Sequence, residues 1–162
     1  ADSDGSRPVN ISVRPLRDLS PTWAPDGNRL AYVSERDGNL DVYVTDVEFS
    51  LLERTTSTPR DDLMPRWSPD GTRLAFVSRR DLDPEIYLAN ADGTGQTRLT
   101  NEKAVDAGPA WSPDGARIAF ERASARPRAI YMINADGTGL VKLTSDDGTA
   151  STRRLRQEVV QR

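Results

Sequence analysis

The sequence has 162 residues, 36 % of them apolar and 29 % charged, with 22 Lys and Arg against 25 Asp and Glu for a formal net charge of −3. The acidic balance disfavours a nucleic-acid groove, which carries a basic excess, and no apolar run approaches the ~18 residues a membrane helix needs. There is no cysteine and no histidine, which removes zinc sites built on those ligands, Cys–His and Ser–His nucleophile pairs and disulfide scaffolds at once.

The chain is periodic. Trp23, Trp67 and Trp111, all three tryptophans, stand 44 residues apart, each inside Pro-x-Trp-(Ala/Ser)-Pro-Asp-Gly. A four-stranded unit of ~40 to 45 residues is the blade of a β-propeller. Each repeat predicts four strands, shown here on residues 65–108. Pro-x-Trp-Ser is the first, closed by a Pro-Asp-Gly turn in which glycine takes the left-handed position. Arg73 to Ser78 is the second, apolar enough to be covered on both faces. Glu85 to Ala89 is the third, followed by an Asp-Gly hairpin signal. Residues from about Gln96 to Thr100 form the fourth, polar as an outer edge strand should be. The expected fold is therefore all-β: a β-propeller of four-stranded antiparallel blades, three of them complete.

In chain order, residues 1–20 predict the outer strand of a preceding blade and a connecting loop, because Asp4 lies 17 residues before Pro21 as Asp92 does before Pro109. Residues 21–64 form blade 1, which departs from its siblings at Val47-Glu48-Phe49-Ser50-Leu51, where no glycine closes the third hairpin. Either Phe49, Leu51 and Leu52 form a sticky patch on the rim, or a wider hairpin packs its apolar residues locally, as is expected there. Residues 65–108 form blade 2 and residues 109–151 blade 3. In blade 3 Glu121 stands where the siblings carry Val33 and Val77. It requires a cation such as Arg122 or Arg128, or a less covered face, because a buried unpaired carboxylate is costly. Residues 152–162 are a C-terminal tail, a short amphipathic helix or a frayed end. The chain opens on Ala1-Asp2 without methionine or a signal segment, as a processed product or an excerpt does.

These motifs resemble the TolB-like propeller repeat, a relative of the WD-type blade, over residues 21 to about 144. That family commonly has six blades, so the resemblance implies half of a six-bladed ring, completed by a second copy of the chain or by further blades. It also implies a non-enzymatic scaffold that binds a protein or peptide. Resemblance to TolB itself would imply an extracytoplasmic location, periplasmic or secreted, and a role in envelope assembly with a peptidoglycan-associated lipoprotein as partner. The competing readings are the propeller portion of a prolyl-oligopeptidase-type peptidase and a carbohydrate-binding or -processing propeller. The upper loops, which join the second strand to the third and one blade to the next, contain none of the Trp, Tyr or Phe that the carbohydrate reading would need.

Strand direction divides the loops between two ends. The Pro-Asp-Gly and Asp-Gly turns share the lower one and hardly vary, while the upper loops differ, and recognition is expected where copies vary on one scaffold. The candidate binding residues there are Arg60, Asp61, Arg79, Arg80, Asp81, Glu102, Lys103 and Arg126, the arginines suited to gripping a carboxylate or phosphate. Asp18, Asp62 and Asp106 recur at the 44-residue period just ahead of the innermost strand. Around a channel mouth they are oxygen ligands suited to calcium; alternatively each accepts backbone N–H bonds and shapes its own turn. No other cofactor is expected. The alternating Asp81, Asp83 and Glu85 lack the glycine and distal glutamate of an EF-hand, and Asn10-Ile11-Ser12 matches a glycosylation sequon. With no Gly-x-Ser-x-Gly, no phosphate-loop glycines and no histidine base, catalysis finds little support.

Overall fold

Each repeat folds into one antiparallel sheet whose strands lie in sequence order, so that a 44-residue period becomes a stack of three like units. The computed structural model describes residues 16–48, 50–124 and 128–144. The expected outer strand within residues 1–20, the sequon at Asn10, Phe49, Arg126 and the tail at 152–162 lie outside them. Blade 1 comprises β1 (Asp18–Trp23), β2 (Arg29–Ser34), β3 (Asp41–Asp46) and β4 (Leu52–Arg54). Blade 2 comprises β5 (Asp62–Trp67), β6 (Arg73–Ser78), β7 (Glu85–Asn90) and β8 (Thr97–Arg98). Blade 3 comprises β9 (Val105–Trp111), β10 (Arg117–Ala123), β11 (Ala129–Asn134) and β12 (Val141–Lys142).

Local chemistry fixes the hairpins. In the Pro-Asp-Gly turns the aspartate accepts the backbone N–H two residues on, Asp26 from Asn28 at 2.8 Å and Asp70 from Thr72 at 3.0 Å, while Gly27, Gly71 and Gly115 sit at φ +71°, +69° and +69°. Between the two central strands the registers Tyr32↔Tyr43, Phe76↔Tyr87 and Phe120↔Tyr131 place an aromatic pair in every blade, with ring centroids 6.0 to 6.1 Å apart. Such pairs favour that register over its neighbours.

Side chains on the central strands alternate between neighbouring blades. Ala31, Val42 and Val44 of blade 1 share a core with Trp67, Leu74, Phe76 and Tyr87 of blade 2. Ala75, Val77, Ile86 and Leu88, on the other face of blade 2, share one with Ile118, Phe120 and Ile133 of blade 3. Both faces of the middle sheet are thus covered, which is why Arg73–Ser78 is apolar almost throughout. Each joint is pinned by an indole: Trp67 Nε1 donates to the Thr22 carbonyl at 3.1 Å and Trp111 Nε1 to the Arg66 carbonyl at 3.1 Å.

Several boundaries differ from the sequence expectation. The innermost strands start earlier, so Asp18 and Asp62 open β1 and β5 and Asp106 lies inside β9. The added residues pass through a bulge, which contains Ser20 (φ 52°) in β1 and Met64 (φ 53°) in β5, with Gly108 (φ 62°) at the same repeat position in β9. Only blade 3 places glycine at a position that L side chains resist. The fourth strands of blades 2 and 3 shrink to two residues. Val47, Leu51 and Leu52 are exposed instead of packing locally, and Ser50 closes that hairpin on the Asp46 carboxylate. Glu121 is exposed and pairs with Arg128 at 3.2 Å, the less covered face and the cation together.

Two glycines separate backbone conformation from close approach. An added Cβ at Gly27 meets nothing within 4 Å, whereas at Gly93 (φ +82°) it falls 2.6 Å from the Thr55 carbonyl oxygen of the preceding blade. Gly27→Ala should therefore lower stability by about 1 kcal/mol from the left-handed conformation alone. Gly93→Ala should cost roughly a further 1 to 3 kcal/mol as the joint is forced apart. Chemical denaturation of the two variants checks the difference, and equal losses would contradict the blade contact.

Candidate functional site

The upper end is built on two sets of carboxylates, both tied to arginine. In the inner set Asp62, fully buried, faces the Arg80 guanidinium at 3.4 Å and accepts the Thr58 hydroxyl at 3.1 Å. Asp106, also fully buried, is held by Arg122 in a fork of two 2.7 Å bonds. Such bidentate pairing adds geometric specificity to the charge attraction. The two arginines arrive from different positions. Arg36 and Arg80 lie two residues beyond Ser34 and Ser78, whereas blade 3 reverses the order and carries Arg122 and Ser124. Arg122 stands directly across from Asp106 in the sheet, and its guanidinium covers the Phe120 and Tyr131 rings at 5.4 and 4.9 Å.

Blade 1 departs from this scheme. Its Tyr32 replaces the phenylalanine of the siblings, and the hydroxyl takes Arg36 at 2.6 Å. Among the described residues Asp18 Oδ1 is consequently buried without a hydrogen-bond partner. Among the described residues Asp18, Asp62 and Asp106 do not assemble into a group of metal ligands. A calcium ion needs carboxylates with charge to spare, and two of these three have theirs neutralised by a guanidinium. They do not fit the ion that their spacing suggested.

The outer set opens the third strands. Asp41, fully buried, receives Arg54 at 2.6 Å and the Thr56 hydroxyl at 3.2 Å. Glu85, fully buried, receives Arg98 at 2.7 Å, the Thr100 hydroxyl at 2.6 Å and the Glu102 backbone N–H at 3.1 Å. Burial raises the Asp41 carboxyl above the ordinary aspartate range, and Arg54 and Thr56 pull it part of the way back. Beside each acid a tyrosine hydroxyl donates to an upper-loop carboxylate, Tyr43 to Asp37 and Tyr87 to Asp81. Burial and then the Asp81 carboxylate push Tyr87 up to about 12, and Tyr43 is raised for the same reasons. Blade 3 carries Ala129 at the acid position.

On this framework the upper loops of blade 2 enclose two open hollows. One, of about 500 Å³, lies among Arg60, Asp61, Arg79 and Asp81, with Arg79 beside Asp61 at 3.6 Å. The other, of about 610 Å³, lies among Asp81, Asp83, Arg98, Glu102 and Lys103. Leu82 stands fully exposed on the loop between them. Six of the sequence candidates, Arg60, Asp61, Arg79, Asp81, Glu102 and Lys103, thus come together around one loop. Arg80 does not: it points inward onto Asp62, Ser78 and the Tyr87 ring. Sequence reasoning missed Asp41, Arg54, Thr56, Arg98 and Thr100, and it offered Arg122 to Glu121 where the structure gives it to Asp106. The signal was present, since Asp41/Glu85, Arg54/Arg98 and Thr56/Thr100 all recur at 44 residues.

Comparison with known proteins matches residues 1–158 to the TolB beta propeller domain model. A segment of 59 residues, 35 % of this chain, is 48 % identical to the Tol-Pal system protein TolB of Thioalkalivibrio sulfidiphilus, 13 % of whose length it spans. The crystal structure of TolB from Acinetobacter baumannii superposes with a TM-score of 0.75 at 28 % identity, covering 91 % of this chain and 40 % of that one. Dipeptidyl peptidase 4 from Porphyromonas gingivalis superposes with a TM-score of 0.65 at 21 % identity, covering 86 % of this chain and 19 % of that one. This last likeness is one of fold.

Removing one partner of a buried ion pair leaves the other charge uncompensated. Arg122→Met should cost about 3 to 5 kcal/mol in urea denaturation, whereas Arg128→Met, at an exposed pair, should stay within about 0.5 kcal/mol. The tyrosines supply a pH test. With Tyr87 at about 12 when folded and about 10 when unfolded, the unfolded chain releases its proton first, so stability is intact below pH ~10 and falls as pH rises towards ~12. Asp81→Asn should lower the Tyr87 midpoint in an ultraviolet tyrosinate titration, and an unmoved midpoint would contradict the hydrogen bond to Asp81.

Proposed function

The chain belongs to the TolB β-propeller family, and from that premise we propose that it is a non-enzymatic scaffold whose upper end binds a protein or peptide. The observation that carries this reading is the pair of open hollows around the Arg79–Pro84 loop, with charged rims and the exposed Leu82 between them. An apolar anchor flanked by charges of both signs suits a folded or extended polypeptide better than a small molecule, which favours an enclosed cavity. The buried carboxylates Asp41, Asp62, Glu85 and Asp106 are each tied to a guanidinium. Their oxygens are engaged by those guanidinium groups, and the sequence contains no histidine to serve as a base.

Kinship with Tol-Pal system proteins supports an extracytoplasmic setting and a role in envelope assembly. The chain spans only part of those relatives, so further blades complete the ring, from a second copy or from sequence outside this chain.

Biolayer interferometry against the soluble domain of a peptidoglycan-associated lipoprotein tests the reading. Reversing both charges in Arg60→Glu, Arg79→Glu should weaken binding at least ~10-fold, about 1.4 kcal/mol. Asn28→Ala, on the lower end, should leave it unchanged. Equal weakening by both variants, absence of binding, or hydrolysis of a chromogenic peptide substrate would overturn it.

A further inference from the structure

The two joints inside the chain define what a joint requires. The later blade supplies a tryptophan; the earlier one supplies a carbonyl for its indole N–H, at Thr22 and Arg66, and an arginine over its ring, Arg29 at 4.8 Å from Trp67 and Arg73 at 4.9 Å from Trp111. Each half recurs at one end of the described arc. Blade 1 presents Trp23, 61 % exposed where Trp67 is 7 %, with no bond to its indole among the described residues. Blade 3 presents the Ala110 carbonyl and Arg117, which stand 44 residues after Arg66 and Arg73, and no ring covers Arg117 among the described residues.

Two departures from the repeat decide what fits there. Inside the second joint Val77 and Phe120 share one apolar cluster. On the outward face of blade 3 the valine position is Glu121, whose pair with Arg128 is exposed on both sides and open to exchange. On the outward face of blade 1, where Leu30, Tyr32 and Tyr43 form a cluster of their own, the phenylalanine position is Tyr32. Its hydroxyl holds Arg36, whose guanidinium also lies over Tyr43 at 4.6 Å. One end face has thus gained a carboxylate at the position where the other has gained a hydroxyl, which holds the Arg36 guanidinium that in blade 2 its counterpart Arg80 directs to Asp62. Blades of unrelated sequence would place no such matching demand on the two ends of one chain.

We propose that a second copy of this chain docks head to tail on both end faces. Trp23 of each copy then lies against Ala110 and Arg117 of the other, Glu121 meets Arg36 and Tyr32, and two identical joints close one ring. Heterologous contacts of this kind end in a ring when the rotation closes and in open chains when it does not. The inference deepens the ring-completion part of the reading above and is read by mass, so ligand binding can fail or succeed independently of it.

Light scattering and sedimentation of the 162-residue chain should give twice the 17.9 kDa chain mass, unchanged over a 100-fold dilution in the micromolar range. Glu121→Arg and Arg36→Glu should each shift the mass to a single chain, by placing like charges at both joints of a self-pair. Mixed in equal amounts they should recover the double mass, because both joints of the mixed pair again carry opposite charges. That recovery also shows that each variant is folded. A wild-type chain of single mass, a mass that grows with concentration, single variants that stay paired, or a mixture that stays single would each overturn the proposal.

Discussion

Everything in this molecule depends on the contact between one sheet and the next. Each sheet alone would leave two apolar faces in water, and a flat stack of such faces has no preferred offset. The tryptophan supplies one. Its ring buries area against the neighbouring sheet, its indole N–H reaches a single carbonyl there, and an arginine of that neighbour covers the ring from the other side. The two polar contacts are directional where the apolar burial is not, so they select one offset among the many that would bury similar area. Arg29 strengthens the selection in the first joint by also donating to the Gly71 carbonyl at 2.8 Å.

Sequence reasoning recovered what this contact imposes and lost what it permits. The tryptophan period, the Pro-Asp-Gly turns and the second and third strands were legible because each has a residue type that nothing else replaces: a bulky indole, a glycine at positive φ, an unbroken apolar run. The bulge in the first strand was not, since two blades force Ser20 and Met64 into a conformation normally marked by glycine. The arginine–carboxylate sets were overlooked for a different reason. Arginine and aspartate in a polar sequence read as solvated surface, and only their recurrence at the repeat distance shows that they lie inside. Asp62 and Asp106 are examples. Their spacing suggested ligands gathered about an axis, whereas each is held by an arginine of its own blade.

The two ends of the arc carry different burdens. At the lower end short turns are closed by their own aspartates, which accept backbone N–H groups two residues on. The Ser68 hydroxyl, with Thr72, holds Asp70 down at about 2. Such turns satisfy themselves and leave little that a partner could use. At the upper end of blade 2 the polar groups that would otherwise need solvent are satisfied from within by arginine, threonine and tyrosine. The loops above are released from structural duty and free to differ, and the same framework carries Arg60, Asp61 and Arg79 on one side of Leu82 and Glu102 and Lys103 on the other.

Burying charge at the roots of those loops is not the cheapest way to stabilise a sheet, since well-packed apolar residues often do as well or better than a buried ion pair. What the pairs provide is intolerance of error. A strand slipped by two residues within its own sheet buries nearly the same apolar area, but it would strand Asp106 without the fork from Arg122, or Glu85 without Arg98, at several kcal/mol for each orphaned charge. Repeats raise this danger, because a blade resembles its neighbours closely enough to pair out of order. The reversed placement of Ser and Arg in blade 3, the missing acid at Ala129 and the Tyr32–Arg36 bond in blade 1 give each sheet its own polar wiring. A strand from one blade inserted into another would leave these groups mismatched, so the differences among copies protect the order of assembly as well as shaping the surface above it.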